Sequence, residues 1–136
     1  MNYLQFREWK NENILSDHVS AFEVLDLVKK SKHPVIVHDV KGAGRCMAFI
    51  GLQYCYEEIL HSPKSNFYDM ARELRKARFD TFDKVSELIW VLMGVFYQLI
   101  KKYKLSMEPY EEGCKIMLEI RPNLKKDEPS PDDDFV

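Results

Sequence analysis

Apolar residues recur at helical spacing in three stretches of the chain. Val19, Phe22, Leu25 and Val28 do so with Glu23, Asp26, Lys29 and Lys30 opposite, which predicts a helix over 17–30, capped by Ser16 or Asp17, with one face laid on a sheet. Phe67, Met70, Ala71 and Leu74 form a second stripe, with basic residues gathered at the C-terminal end of their helix, where they complement its dipole. Val85, Leu88, Ile89, Leu92, Phe96, Leu99, Ile100 and Tyr103 hold one face for about five turns of a helix capped by Asp83, and this stripe reads as core. The run 47–56 is apolar nearly all round and predicts a helix buried on every side, ended by a turn over 61–65.

Two shorter patterns read as strand. Residues 3–8 alternate weakly, and Pro34, Val35, Ile36 and Val37 form a compact apolar run. Strand, helix, strand in that order gives a right-handed crossover and a parallel pair, so the expected class is α/β, a short parallel strand pair packed with about four helices. Near the C-terminus, Cys114, Ile116, Leu118 and Ile120 alternate with Lys115, Met117 and Glu119, which reads as a strand or a short helix. From 122 onward the tail is rich in Pro, Lys and Asp and is expected to be disordered. Ser130-Pro131 fits a phosphorylation site, and Asp134-Phe135-Val136 fits a motif read at C-termini, though a solvated tail accounts for both.

Between the second strand and the buried helix runs His38-Asp39-Val40-Lys41-Gly42-Ala43-Gly44-Arg45-Cys46. Gly42 and Gly44 let the backbone turn its N–H groups inward, a helix starting near Arg45 adds the positive end of its dipole, and Arg45 offers a planar fork for two phosphate oxygens. Residues 38–45 are therefore candidate anion-binding residues at the carboxyl end of the expected sheet. A dinucleotide fingerprint would need glycine where Met47 stands, and a nucleotide P-loop would need Gly-Lys-Ser/Thr where Gly44-Arg45-Cys46 stand.

The loop resembles the signature of the classical protein tyrosine phosphatases, His-Cys-x-x-Gly-x-Gly-Arg-Ser/Thr, with Asp39 where that family has its nucleophilic cysteine. Upstream, Phe6-Arg7-Glu8-Trp9-Lys10-Asn11 resembles the strand and loop carrying Trp-Pro-Asp, which puts Asn11 where the general acid would be. Downstream, residues 66–79 resemble the helix ending in Leu-Arg-x-x-Arg, with Asp83 in place of the water-positioning glutamine and Glu87 in place of the second glutamine. The resemblance covers 3–103 and corresponds to the C-terminal half of such a domain. The implied organisation is a tyrosine-phosphatase-like half domain over 1–103, a short extension over 104–121 and an acidic tail over 122–136.

The family's chemistry needs a thiolate to attack phosphorus, an acid to protonate the leaving phenol and an oriented water to release the phosphoenzyme. The matched positions hold Asp39, Asn11 and Asp83, so no catalytic residue is intact. Asp39 also opposes phosphate binding, because like charges about 4 Å apart repel by ~4 kcal/mol at an effective dielectric near 20. Asp39 is expected to accept loop N–H groups and to pair with Arg45, as a built-in occupant of the pocket. Cys46, just past the arginine, reads as a small core residue rather than a displaced nucleophile.

Composition narrows the functions further. The 136 residues are 46% hydrophobic and 31% charged, with a net charge of -2 and basic residues interspersed with acids, which gives no footprint for nucleic acid. The longest apolar run, 88–100, is interrupted by Gly94 and Gln98 and is too short to span a bilayer, so no membrane insertion is expected. Cys46, Cys55 and Cys114 show no disulfide pattern and no signal peptide is evident, so a cytoplasmic chain with reduced thiols is expected. His18, His33 and His61 lack ligand spacing, and neither metal nor cofactor is expected. The leading reading is a catalytically inactive tyrosine-phosphatase-like protein working through an unidentified protein partner. The alternatives are a residual phosphatase with Asp39 as nucleophile and a fragment without function of its own.

Overall fold

The structure, a computed structural model, describes residues 3–5, 9, 18–62, 64–82 and 84–124. All regular structure among them is helical: α1 (His18–Lys29), α2 (Arg45–His61), α3 (Phe67–Ala77), α4 (Val85–Tyr103) and α5 (Glu108–Leu124). The expected α/β class is thus corrected to an all-helical one. Residues 34–39 run without turn or bend but form no ladder, and Tyr3 to Gln5 are not in a strand. The Tyr3 and His38 rings lie 6.1 Å apart, so the two segments approach without pairing. A parallel pair needs cover on both faces and more than two strands to be stable, and these helices supply no such cover for Val35 and Ile36, which are exposed. Residues 6–8, the caps Ser16, Asp17 and Asp83, and the tail 125–136 with Ser130 lie outside the described residues.

α2 is the central element, longer at both ends than the apolar run that announced it. It packs most extensively on α4 and also on α3, while α5 packs on α4. Cys46, Met47, Ala48, Gly51, Leu52 and Cys55 of α2 are buried. Leu52 and Cys55 meet Trp90, Val91 and Val95 of α4 in one core that also takes in Phe22 and Leu25 of α1 and Met70 and Leu74 of α3. On α1, Val19 is exposed, and His18 and Ala21 are buried with Phe22 and Leu25.

α4 buries only part of its predicted apolar stripe: Ile100 is buried, and Leu88 and Leu99 are partly buried against the core. Val85, Leu92, Phe96 and Tyr103 are exposed, whereas Ser86, Trp90, Val91, Gly94 and Val95 are buried. Small residues decide this, because they let a neighbouring helix come close. A Cβ on Gly94 would lie 2.5 Å from Leu52 Cδ1 and 2.8 Å from His18 Cδ2, so α2 and α1 approach through the space that glycine leaves.

The alternating segment 114–120 belongs to helix α5, which continues past Pro122. Ser106 Oγ accepts the N–H of Glu108 at its start, and Glu108 and Glu111 place acids in the first turn. Tyr110 Oη lies 2.8 Å from Nδ1 of the buried His18, whose Nε2 lies 2.9 Å from the Trp90 carbonyl oxygen. The His18 imidazole thereby joins α1, α4 and α5.

Candidate functional site

The loop at residues 38–45 leads directly into the N-terminus of α2. Gly42 takes the left-handed conformation at φ +70°, which a residue with Cβ adopts only at a cost. The Asp39 carboxylate organises the turn: Oδ1 accepts the N–H of Gly42, and Oδ2 accepts the N–H of Cys46 at 2.9 Å. Burial raises the Asp39 pKa, but the N–H groups of Cys46 and Gly42, the Cys46 thiol and the Arg45 charge outweigh burial and hold the carboxyl below the usual carboxylate range. Burial, the Asp39 charge and the hydrogen bond to Asp39 push the Cys46 thiol up to about 11. Cys46 is a buried neutral thiol packed beside a carboxylate, an environment opposite to that of a nucleophilic cysteine.

Arg45 does not pair with Asp39 as expected. Its Nη1 donates to the Trp9 carbonyl at 2.9 Å, and the Trp9 ring lies against Trp90, tilted by 38° with centroids 4.3 Å apart. The guanidinium is therefore turned toward the segment that resembles the family's acid loop. Of the other candidate anion ligands, Val40 is 93% exposed and Ala43 is buried, so neither side chain bears on an anion. His38 and Lys41 are exposed and line a cleft of about 420 Å³ on the outer side of the loop.

Glu87 stands against the loop, because a Cβ on Gly44 would collide with its carboxylate. A second acid therefore lies beside the glycine turn where the family places a glutamine. Asn11 and Asp83 lie outside the described residues.

Two functional contributions escaped the sequence reading. Arg75 donates to the carbonyls of Thr81 (3.0 Å) and Phe82 (3.1 Å), which holds the tight α3–α4 turn in which Asp80 and Phe82 have positive φ. Arg78 reaches the loop itself, with Nη2 3.4 Å from the Lys41 carbonyl and 3.0 Å from where a Cβ on Gly42 would stand. The signal was present in Leu74-Arg75-Lys76-Ala77-Arg78, since two arginines three apart at a helix end serve either the next turn or a neighbouring loop. Here each serves one of these.

Among the described residues no group of His, Cys, Asp or Glu could hold a metal ion, and no helix is long and apolar enough to cross a membrane. The protein-tyrosine phosphatase family model matches residues 1–97. The match spans well over half of the chain, which belongs to that family. No curated protein and no solved structure matches it at a significant level. The matched span ends within α4, so α5 lies beyond it.

Proposed function

We propose that this member of the tyrosine phosphatase family does not hydrolyse phosphotyrosine and acts as a protein-interaction module in phosphotyrosine signalling, in the cytoplasm. The observation that supports this most is the bonding of Asp39. The residue at the nucleophile's position spends its carboxylate oxygens on the N–H groups of Gly42 and Cys46, donors that an incoming phosphoryl group would need. The Glu87 carboxyl group also stands against Gly44, in the space beside the turn. A carboxylate held this way is a weak nucleophile, and its lowered pKa leaves it no proton to give to a departing phenol.

The test is hydrolysis of para-nitrophenyl phosphate and of a phosphotyrosine peptide by the wild-type chain and by Asp39→Cys. Both are expected at the buffer rate, since restoring the thiol restores neither an acid at Asn11 nor the glutamine at Asp83. Turnover by the wild type that disappears in Asp39→Asn would establish Asp39 as a nucleophile and overturn the proposal.

A further inference from the structure

α4 is apolar on two opposite faces. Trp90, Val91 and Gly94 turn into the core, where Leu52 of α2 fills the space at Gly94. On the other side Val85, Ile89, Leu92, Phe96, Leu99 and Tyr103 recur in alternating steps of four and three, which keeps all six on one narrow stripe of the helix. Val85, Leu92, Phe96 and Tyr103 are 56%, 46%, 38% and 58% exposed, and Ile89 and Leu99 are half-buried. A stripe of that spacing takes the side chains of a second helix between its own.

The register of the stripe says which helix that is. When two copies of α4 cross antiparallel at the level of Gly94, the stripe falls on itself, because its members lie in pairs equally far to either side of that residue. Val85 then meets Tyr103, Ile89 meets Leu99 and Leu92 meets Phe96, so each layer sets a smaller side chain against a larger one or an equal. Charge selects the same direction. Lys101 and Lys102 stand in the last turn and Lys104 caps it, so a parallel pair would set these lysines beside their own copies. The antiparallel pair separates them by the length of the helix, about 28 Å.

We propose that the outer face of α4 is a self-association surface, through which two copies of this chain pair as antiparallel helices. At the exposures above, and taking ~200 Å² for a large apolar side chain, Val85, Leu92, Phe96 and Tyr103 present roughly 400 Å² per copy. Two copies then bury about 800 Å² of apolar surface, or ~1,200 Å² in all at the apolar share usual for homodimers, which is the lower end of stable interfaces. The dimer is accordingly weak and reversible. It goes beyond the reading of the chain as an interaction module by naming one surface and one partner, and it holds whether or not the loop hydrolyses phosphate.

The test is sedimentation velocity on the full chain from about 5 to about 300 μM, a range that brackets a micromolar dissociation constant. The wild type is expected to pass from monomer to dimer, and Leu92→Glu and Val85→Lys each to weaken that step roughly tenfold or more by placing a charge in the seam. Both positions are exposed, and melting followed by circular dichroism is expected to match the wild type in both. Tyr68→Glu, at an exposed apolar position on α3, is expected to leave the dimer unchanged. Oxidation of a mixture of Leu92→Cys and Phe96→Cys chains reads the direction, with peptide mass mapping expected to find position 92 of one copy joined to position 96 of the other. A monomer at every concentration would overturn the proposal, as would a dimer that withstands both Leu92→Glu and Val85→Lys. A disulfide joining position 92 to position 92 would overturn the antiparallel pairing. Hydrolysis measured on the same preparations keeps the two readings apart, because turnover by an intact dimer would sink only the inactive reading.

Discussion

Asp39 Oδ2 accepts the backbone N–H of Cys46 at 2.9 Å, so the residue in the nucleophile's place ties the start of the signature loop to the first turn of α2. In an active family member the same N–H groups face a thiolate and a phosphate. Here a permanent carboxylate meets them, turning a site for an anion into a fixed part of the fold.

Replacing that carboxylate should therefore cost stability. Asp39→Ala is expected to lower it by ~2 kcal/mol, the order of hydrogen bonds to a charged acceptor, and Asp39→Asn by less, because the amide oxygen still accepts from one donor. Urea denaturation of the three proteins at neutral pH measures this.

The same contact has an acid limb. The Asp39 pKa is lowered in the folded chain, so its contribution is complete above the unfolded value, about 3.9, and is lost as pH falls through the lower folded value. The stability gap between wild type and Asp39→Asn should be constant from about pH 5 to 7 and close as the pH falls below about 4. Melting temperatures across that range follow it.

Thiol reactivity should separate the three cysteines. Burial pushes Cys55 up to about 12, Cys46 stands at about 11, and both are buried, whereas Cys114 is only half-buried. Iodoacetamide at neutral pH is expected to modify Cys114 first and to reach Cys46 and Cys55 only on unfolding, as read by peptide mass mapping.

Gly94→Ala should separate α2 from α4, because Leu52 and His18 occupy the space a methyl group would need. A loss of about 1–3 kcal/mol is expected, with Trp90 fluorescence shifted by the displaced His18 ring, whose centroid lies 4.8 Å from it.

Helix periodicity made α1, α3 and α4 legible in the sequence, the all-round apolar run marked the centre of α2, and the glycine loop and Arg45 marked the candidate site. The missing sheet was not legible, because Val35, Ile36 and Val37 have strand chemistry whether or not a neighbour exists to pair with them. The buried face of α4 was only partly legible for a related reason: Ile100, Leu88 and Leu99 do reach the core, but the rest of the stripe does not. Hydrophobicity pointed to Val85, Leu92, Phe96 and Tyr103, but Gly94 and Ser86 set which face a second helix could approach. The alternation 114–120 left strand and short helix open because Cys114, Ile116 and Leu118 fall on every second position, while the signals that decide for α5 lie earlier, at Ser106 and Glu108. Arg45 was expected to meet Asp39 across the loop, and the nearby Trp9 carbonyl, distant in sequence, takes its hydrogen bond instead.

α5 lies beyond the family match and packs on α4, with Gly113 against Met93 and Tyr110 reaching His18. Tyr110→Phe removes the hydroxyl from His18 Nδ1 and should cost about 1 kcal/mol, with faster proteolysis in the α4–α5 link around Leu105. Limited trypsin digestion, which cuts at Lys104, compares the two.

The occupancy of the loop is tested most directly by calorimetric titration of the wild-type chain with orthophosphate at neutral pH. Asp39 keeps the N–H groups of Gly42 and Cys46 engaged and the Glu87 carboxyl group stands against Gly44, so no saturable binding is expected at millimolar phosphate. Saturable heat that disappears in Arg45→Ala would show a phosphate seated in the loop and contradict Asp39 as its built-in occupant.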